Sequence, residues 1–263
     1  MISGTADLVV VIGDPVAQVR APALLNAAFA RLGVDGVTVP LHVAPPQLEN
    51  VLSALGAVEN LRGVLLTVPH KLAACAFADR RSAAAEQAGS ANALWRAPNG
   101  RWHAENFDGL GFVTGLQDEG RRVEGRDVAL FGAGGAGRAI APALLDAGAA
   151  SIAVFDPDEA RVDELRTRAE RWWPGRVRRG GVADLAQIDV AVNATPLGMR
   201  PGDDLPFDPA KLAGGTLVAD IVMEPEITRL LHAAAELGLP THQGIHMLSG
   251  QIDHYLSFFG LRN

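Results

Sequence analysis

The stretch DVALFGAGGAGRAIAPALLDAG, residues 127–148, decides the fold. Val128 to Phe131 form a short apolar run, the mark of a strand buried on both faces. From Arg138 the apolar residues recur at helical spacing. Between the two lies Gly132-x-Gly134-x-x-Gly137. A glycine repeat alone is a weak signal, but placed between a strand and a helix it is a strong one. Gly132 permits the tight turn, Gly134 lets the backbone approach a pyrophosphate, and Gly137 lets the helix pack close to the strand. The loop amides of Ala133, Gly135 and Ala136 complete a phosphate cradle at a helix N-terminus. The next apolar strand ends in Asp156, about 20 residues further on, where an acidic residue meets ribose hydroxyls. A carboxylate there repels a 2′-phosphate, and Arg161 stands a turn into the following helix. The expected cofactor is therefore NAD rather than NADP. Asp156 also reads as the N-cap of a helix over 157–170.

Outward from this loop, strands and helices alternate in both directions, which predicts an α/β protein with mainly parallel sheets. On the N-terminal side, strands are expected at 7–13, 36–43 and 61–69, and helices at 21–33, 45–56 and 70–89, the last broken near Arg81. A hairpin is expected over 91–106, turning at Asn99-Gly100. A long helix over 107–120 joins the two alternations, and a single amphipathic helix is expected over 244–260. The reading is one α/β domain of residues 1–106 and 244–263, and a dinucleotide-binding Rossmann domain of 107–243, with a cleft between them.

The bulk properties set limits. The chain has 263 residues, is 48% hydrophobic and 20% charged, and carries a net charge of −7. Acidity on this scale argues against a general nucleic-acid surface. The basic, aromatic stretch TRAERWWPGRVRRGG (167–181) reads as a solvated helix end and loop. Cys75 is the sole cysteine, so no intrachain disulfide forms. No secretory leader or membrane span is expected, which points to a cytoplasmic protein, monomer or homodimer. The seven histidines, His42, His70, His103, His232, His242, His246 and His254, show no HExxH and no cysteine at zinc spacing, so no metal is expected.

A second stretch poses a chemical question. GVLLTVPHK (63–71) reads as a buried strand that ends by presenting His70 and Lys71, although an unpaired lysine is costly to bury. Seven segments in order supply an answer: IGDPVAQVRAPALLNAAF, LLTVPHKLA, GSANAL, ENFDGLGF, GAGGAGRA, NATPLGM and GIHMLSGQ. Together they resemble shikimate dehydrogenases and their quinate-oxidising relatives along the whole chain. The resemblance implies a substrate domain completed by the C-terminal helix, with a Rossmann domain between. It implies that Lys71 and Asp108 are the catalytic pair, and that Thr67, Asn92 and Gln251 read substrate hydroxyls. It implies further that Thr195, Met199, Ile221 and Gly244 line the nicotinamide side. A paired ammonium and carboxylate can handle the proton of a secondary alcohol while its hydride passes to nicotinamide.

The sequence departs from the family in that same pocket. Val19 and Ala21 stand where the family has two serines that hold the substrate carboxylate. Leu65 stands for an Asn, Phe107 for a Thr and Met223 for a Tyr. Each change replaces a hydrogen-bonding group with an apolar one. The expected function is a shikimate-dehydrogenase-like oxidoreductase acting on a cyclic polyol, with substrate choice altered from shikimate. Two alternatives stand beside it. One is a true shikimate or quinate dehydrogenase of aromatic-compound metabolism, in which Arg20 or Gln18 replaces the serines. The other is a dinucleotide-binding sensor without turnover.

Overall fold

The structure is a computed structural model, and it describes residues 2–262. The chain divides into two compact units, one running to Phe107 and resuming at Gln251, the other spanning Asp108–Gly250.

The first unit opens with β1 (Asp7–Gly13), α1 (Ala21–Leu32), β2 (Gly36–His42), α2 (Leu48–Leu55) and β3 (Leu61–Leu66). It continues with α3 (Lys71–Phe77), β4 (Arg80–Arg81), α4 (Ala83–Ala88), β5 (Ala93–Arg96) and β6 (Trp102–Glu105). The sheet order is β2-β1-β3-β5-β6-β4. β1 lies parallel to β2 and β3, while β5 runs antiparallel to both β3 and β6. The turn of the β5–β6 hairpin needs Gly100, whose φ is +84°. Val10, Ile12, Val64, Leu66 and Leu94 form the core over which α2 and α3 pack.

The second unit holds α5 (Asp108–Asp118), β7 (Asp127–Phe131), α6 (Gly137–Asp146), β8 (Ser151–Phe155), α7 (Glu159–Ala169) and β9 (Val177–Arg179). It continues with β10 (Val190–Asn193), β11 (Leu217–Asp220), α8 (Arg229–Glu236), β12 (Thr241–His242) and α9 (Ile245–Ser249). Its sheet is parallel throughout, in the order β12-β11-β10-β7-β8-β9. β7 shows why such strands carry no polar alternation. Val128 and Leu130 enter the core beneath α6, while Ala129 and Phe131 enter the core beneath α8. The chain then returns to the first unit as α10 (Ile252–Phe258).

Several expectations are corrected. The helix expected over 244–260 is two, α9 and α10, parted at Gly250-Gln251. A Cβ on Gly250 would lie 2.6 Å from the Gly111 carbonyl, so α9 is seated on α5. The return to the first unit accordingly falls at 251 rather than 244. The helix expected over 70–89 is α3 and α4, separated by the short edge strand β4. Part of the basic stretch 167–181 is the edge strand β9, not loop. Asp158, not Asp156, caps α7, accepting from the Ala160 amide at 3.1 Å. Among the described residues, no helix is long and apolar enough to cross a membrane.

Candidate active site

In the first unit, the end of β3 sets the geometry. The Thr67 amide donates to the Ile12 carbonyl at 2.9 Å, and the Thr67 carbonyl accepts from the His70 amide, closing a turn. His70 is buried, with Nε2 2.8 Å from the Val43 carbonyl oxygen. Lys71 follows as the first residue of α3, and its carbonyl accepts from the Ala91 amide at 2.9 Å. That bond ties the start of α3 to the segment carrying Asn92.

Asn92 is almost wholly buried, and its carboxamide is used at both ends. Its Oδ1 accepts from the Phe107 amide at 2.9 Å. Its Nδ2 donates to Gln251 Oε1 at 3.0 Å and to the Tyr255 hydroxyl at 2.9 Å. Tyr255 in turn donates to Gln251 Oε1, so the three side chains form a closed buried set. Structure thus brings Asn92 and Gln251 together although they are far apart in sequence. Tyr255 was not anticipated. The available signal was that it is the chain's sole tyrosine, one helical turn past Gln251. Asn106 donates from Nδ2 to the Ser90 carbonyl and hydroxyl, both at 3.0 Å, fixing the same corner. Asp108 is the next residue after Phe107, opens α5, and is 3% exposed.

The five apolar replacements sit as follows. Leu65 is buried within β3. Ala21 is buried as the first residue of α1, and Val19 is half-buried in the loop before it. Phe107 stacks on His254, with ring centroids 5.8 Å apart and planes 13° from parallel, and meets Tyr255 and Phe258 edge-on. Met223 is half-buried in the second unit. Arg20 is exposed, and the Gln18 Nε2 is committed to the Pro15 carbonyl at 3.0 Å.

In the second unit the glycines behave as their spacing implies. Gly132 has φ +99°, and a Cβ there would lie 2.8 Å from the Ala194 carbonyl, so this loop abuts the segment bearing Thr195. A Cβ on Gly137 would overlap the Gly132 carbonyl oxygen, whereas Gly134 has open space around it. Gly135 and Ala136 are half-buried along the same turn. Asp156 Oδ2 accepts from the Ala133 amide at 2.8 Å, joining the end of β8 to the glycine loop. Arg138, also unanticipated, is buried. Its Nε donates to the Ala133 carbonyl at 3.2 Å, and its Nη1 donates to Glu164 Oε1 at 2.7 Å. The Arg138 bond holds the Glu164 carboxyl below the usual carboxylate range, against the smaller upward pull of burial.

Thr195 donates to Asn193 Oδ1 at 2.7 Å, and Asn193 donates to Asp220 Oδ1 at 3.0 Å. Asp220 also accepts from the Thr228 hydroxyl at 2.7 Å and the Val222 amide at 3.0 Å. Burial pushes the Asp220 carboxyl up, while these three bonds oppose the shift. The network fixes the ends of β10 and β11 side by side. Gly244 packs against the Ile221 and Val222 backbone so closely that a Cβ would not fit. Met199 is exposed on the loop after Thr195. A cavity of about 460 Å³ opens beside Asp156 and Thr195, lined in part by Phe155, Gly180 and Phe207.

A parallel sheet with a glycine loop between β7 and α6, and an acidic residue after β8 with a cavity beside it, define a dinucleotide-binding α/β protein. Residues 11–94 match the model of the shikimate dehydrogenase substrate binding domain. A shikimate dehydrogenase (NADP(+)) of Rubrobacter xylanophilus is 39% identical, covering 94% of this chain and 88% of the relative. The crystal structure of shikimate 5-dehydrogenase from Listeria monocytogenes in complex with shikimate and NAD is similar, with a TM-score of 0.89, 28% identity, and coverage of 100% of this chain and 94% of that one. So is ligand-free 5-ketofructose reductase of Gluconobacter sp. strain CHM43, with a TM-score of 0.86, 26% identity, and coverage of 99% and 95%. The chain belongs to the shikimate dehydrogenase family, and is an NAD(P)-dependent alcohol dehydrogenase of the shikimate 5-dehydrogenase type.

Proposed function

We propose that this enzyme interconverts a secondary alcohol and a ketone on a cyclic polyol that carries no carboxylate where shikimate carries one. The observation behind this reading is the apolar character of Val19 and Ala21 at the positions of the carboxylate-holding serines. Each hydrogen bond to a charged group contributes about 1.5–3 kcal/mol, so losing two weakens carboxylate binding by about a hundredfold or more. Leu65 and the ring of Phe107 add no polar replacement, and Gln18 is spent on Pro15. The likeness to a 5-ketofructose reductase, whose named substrate is a keto sugar, supports the same reading.

The nicotinamide, when bound, accepts or returns the hydride. In the oxidising direction Lys71 takes the hydroxyl proton as the C–H hydride departs, and Asp108 stabilises the ammonium that results. In reduction the same proton returns to the new alkoxide oxygen. Asn92, Gln251 and Thr67 read the remaining hydroxyls, Asn92 and Gln251 held in register by Tyr255. Thr195, Met199, Ile221 and Gly244 would line the nicotinamide side, and the loop amides from Gly134 to Gly137 would hold the pyrophosphate; the Ala133 amide, expected to join them, is spent on Asp156.

For the dinucleotide, Asp156 supports NAD. By the fingerprint its carboxylate would repel a 2′-phosphate, and the neighbouring arginines are paired: Arg161 to Asp158 at 3.2 Å, and Arg179 to Glu159 at 2.8 Å and Asp163 at 3.0 Å. The relatives named for NADP(+) weigh on the other side. Steady-state turnover with NAD and NADP, each against shikimate, quinate and carboxylate-free cyclic polyols, tests both points. The reading expects a carboxylate-free polyol with NAD to give the highest kcat/KM. Micromolar KM and rapid turnover for shikimate would instead favour a true shikimate dehydrogenase.

A further inference from the structure

We infer that Glu119, His242 and His246 form a binding site for a borderline divalent transition-metal ion such as zinc. The three residues lie within the second unit: Glu119 just past α5, His242 ending β12, and His246 on α9. One potential ligand atom from each falls within 4.8 Å of the others. His242 Nδ1 is 2.8 Å from Glu119 Oε2, and His246 Nε2 is 3.1 Å from Glu119 Oε1. Ligands held about 2.1 Å from a tetrahedral ion stand about 3.4 Å apart, so these pairs need part by only a few tenths of an ångström to share one. The two imidazole rings face each other with centroids 5.0 Å apart and planes 27° from parallel, as neighbouring ligands of one ion can. Two imidazoles and one carboxylate suit zinc and its neighbours in the first transition row.

Three further features suit a cation. The ligands sit on a stiff frame, because α5 and α9 touch backbone to backbone: a Cβ on Gly115 would lie 2.8 Å from the His246 carbonyl. Access is open, since the Glu119 and His246 side chains are each 32% exposed while His242 is buried. One feature is less favourable: among the described residues His242 Nε2 has no hydrogen-bond partner, so no second group fixes the tautomer. The ring proton can sit on Nδ1 and bond Glu119, or move to Nε2 and leave the Nδ1 lone pair for a metal. Burial also pushes the His242 imidazole down, toward the neutral form that ligates. One group opposes the ion: Arg121 has Nε 3.4 Å from Glu119 Oε2, and its Nη2 is anchored on the Thr241 carbonyl at 3.0 Å. The site therefore binds a metal more weakly than the same ligands would without that charge. A bound ion would clamp the end of α5 to the corner between β12 and α9.

Equilibrium dialysis of the purified full chain against zinc chloride in a non-chelating buffer, with metal analysis, tests the site. The expected result is one zinc per chain, with Kd weakened at least about tenfold in both His246→Ala and Glu119→Gln. Both substitutions fall at half-exposed side chains, so folded variants are expected, and circular dichroism checks this. Absence of zinc binding by the unsubstituted chain would overturn the inference. So would folded variants that bind zinc as tightly as the parent, since that places the ion elsewhere.

Discussion

Lys71 begins α3 one residue after His70, and the two neighbours divide the labour of that turn. His70 anchors it inward on Val43, while Lys71 is half-buried with its backbone bound to Ala91. The proposed chemistry makes a sharp demand on Lys71. Lys71→Ala should lower kcat by about 10²–10⁴-fold, the usual contribution of a positioned proton-transfer group. Dinucleotide affinity, read by NADH fluorescence, should be unchanged, because the glycine loop belongs to the other unit. A variant with unchanged kcat would remove Lys71 from the mechanism. At this scale the sequence was most informative where a residue type is rare in its setting, as with a lysine closing an apolar strand. It was silent on Arg138 and Glu119, which meet Glu164 and His242. Each of these works through partners distant along the chain, and spacing carries no trace of such partners.

Among elements, the β7–loop–α6 unit is the most tightly specified. Two of its glycines are required for different reasons, and this separates two substitutions. Gly137→Ala drives a methyl into the Gly132 carbonyl, so it should destabilise the fold by about 1–3 kcal/mol and lower the melting temperature. Gly134→Ala meets open space, so it should leave stability within about 0.5 kcal/mol yet weaken NADH binding, because the added methyl stands where the pyrophosphate approaches. Equal loss of stability in both variants would contradict this division. The loop, its strand and its helix were all legible, since apolar periodicity and glycine placement are local signals. Elements fixed by tertiary contact were not. β9 and β12 are three- and two-residue edge strands whose existence depends on the neighbour they pair with. The break between α9 and α10 follows from the seating of Gly250 on α5, which nothing in the helical pattern of 244–260 announces.

For the whole molecule, order along the chain was the decisive information. Seven short segments, several of them weak alone, fall in one sequence, and the fold they imply is the one observed: two α/β units, the second inserted before α10. Apolar residues stand for the family's polar ones at Val19, Ala21, Leu65 and Phe107 in the first unit and at Met223 in the second, while Lys71, Asp108, Asn92 and Gln251 match the family's motifs. That pattern is expected when chemistry is kept and the recognised group is changed. The most direct measurement of this claim is kcat/KM for shikimate in the parent enzyme and in the Val19→Ser/Ala21→Ser double variant, with NAD. Restored hydroxyls should raise it about a hundredfold or more, given about 1.5–3 kcal/mol for each of two bonds to a carboxylate. A parent that already turns shikimate over efficiently, with no gain in the variant, would contradict the account.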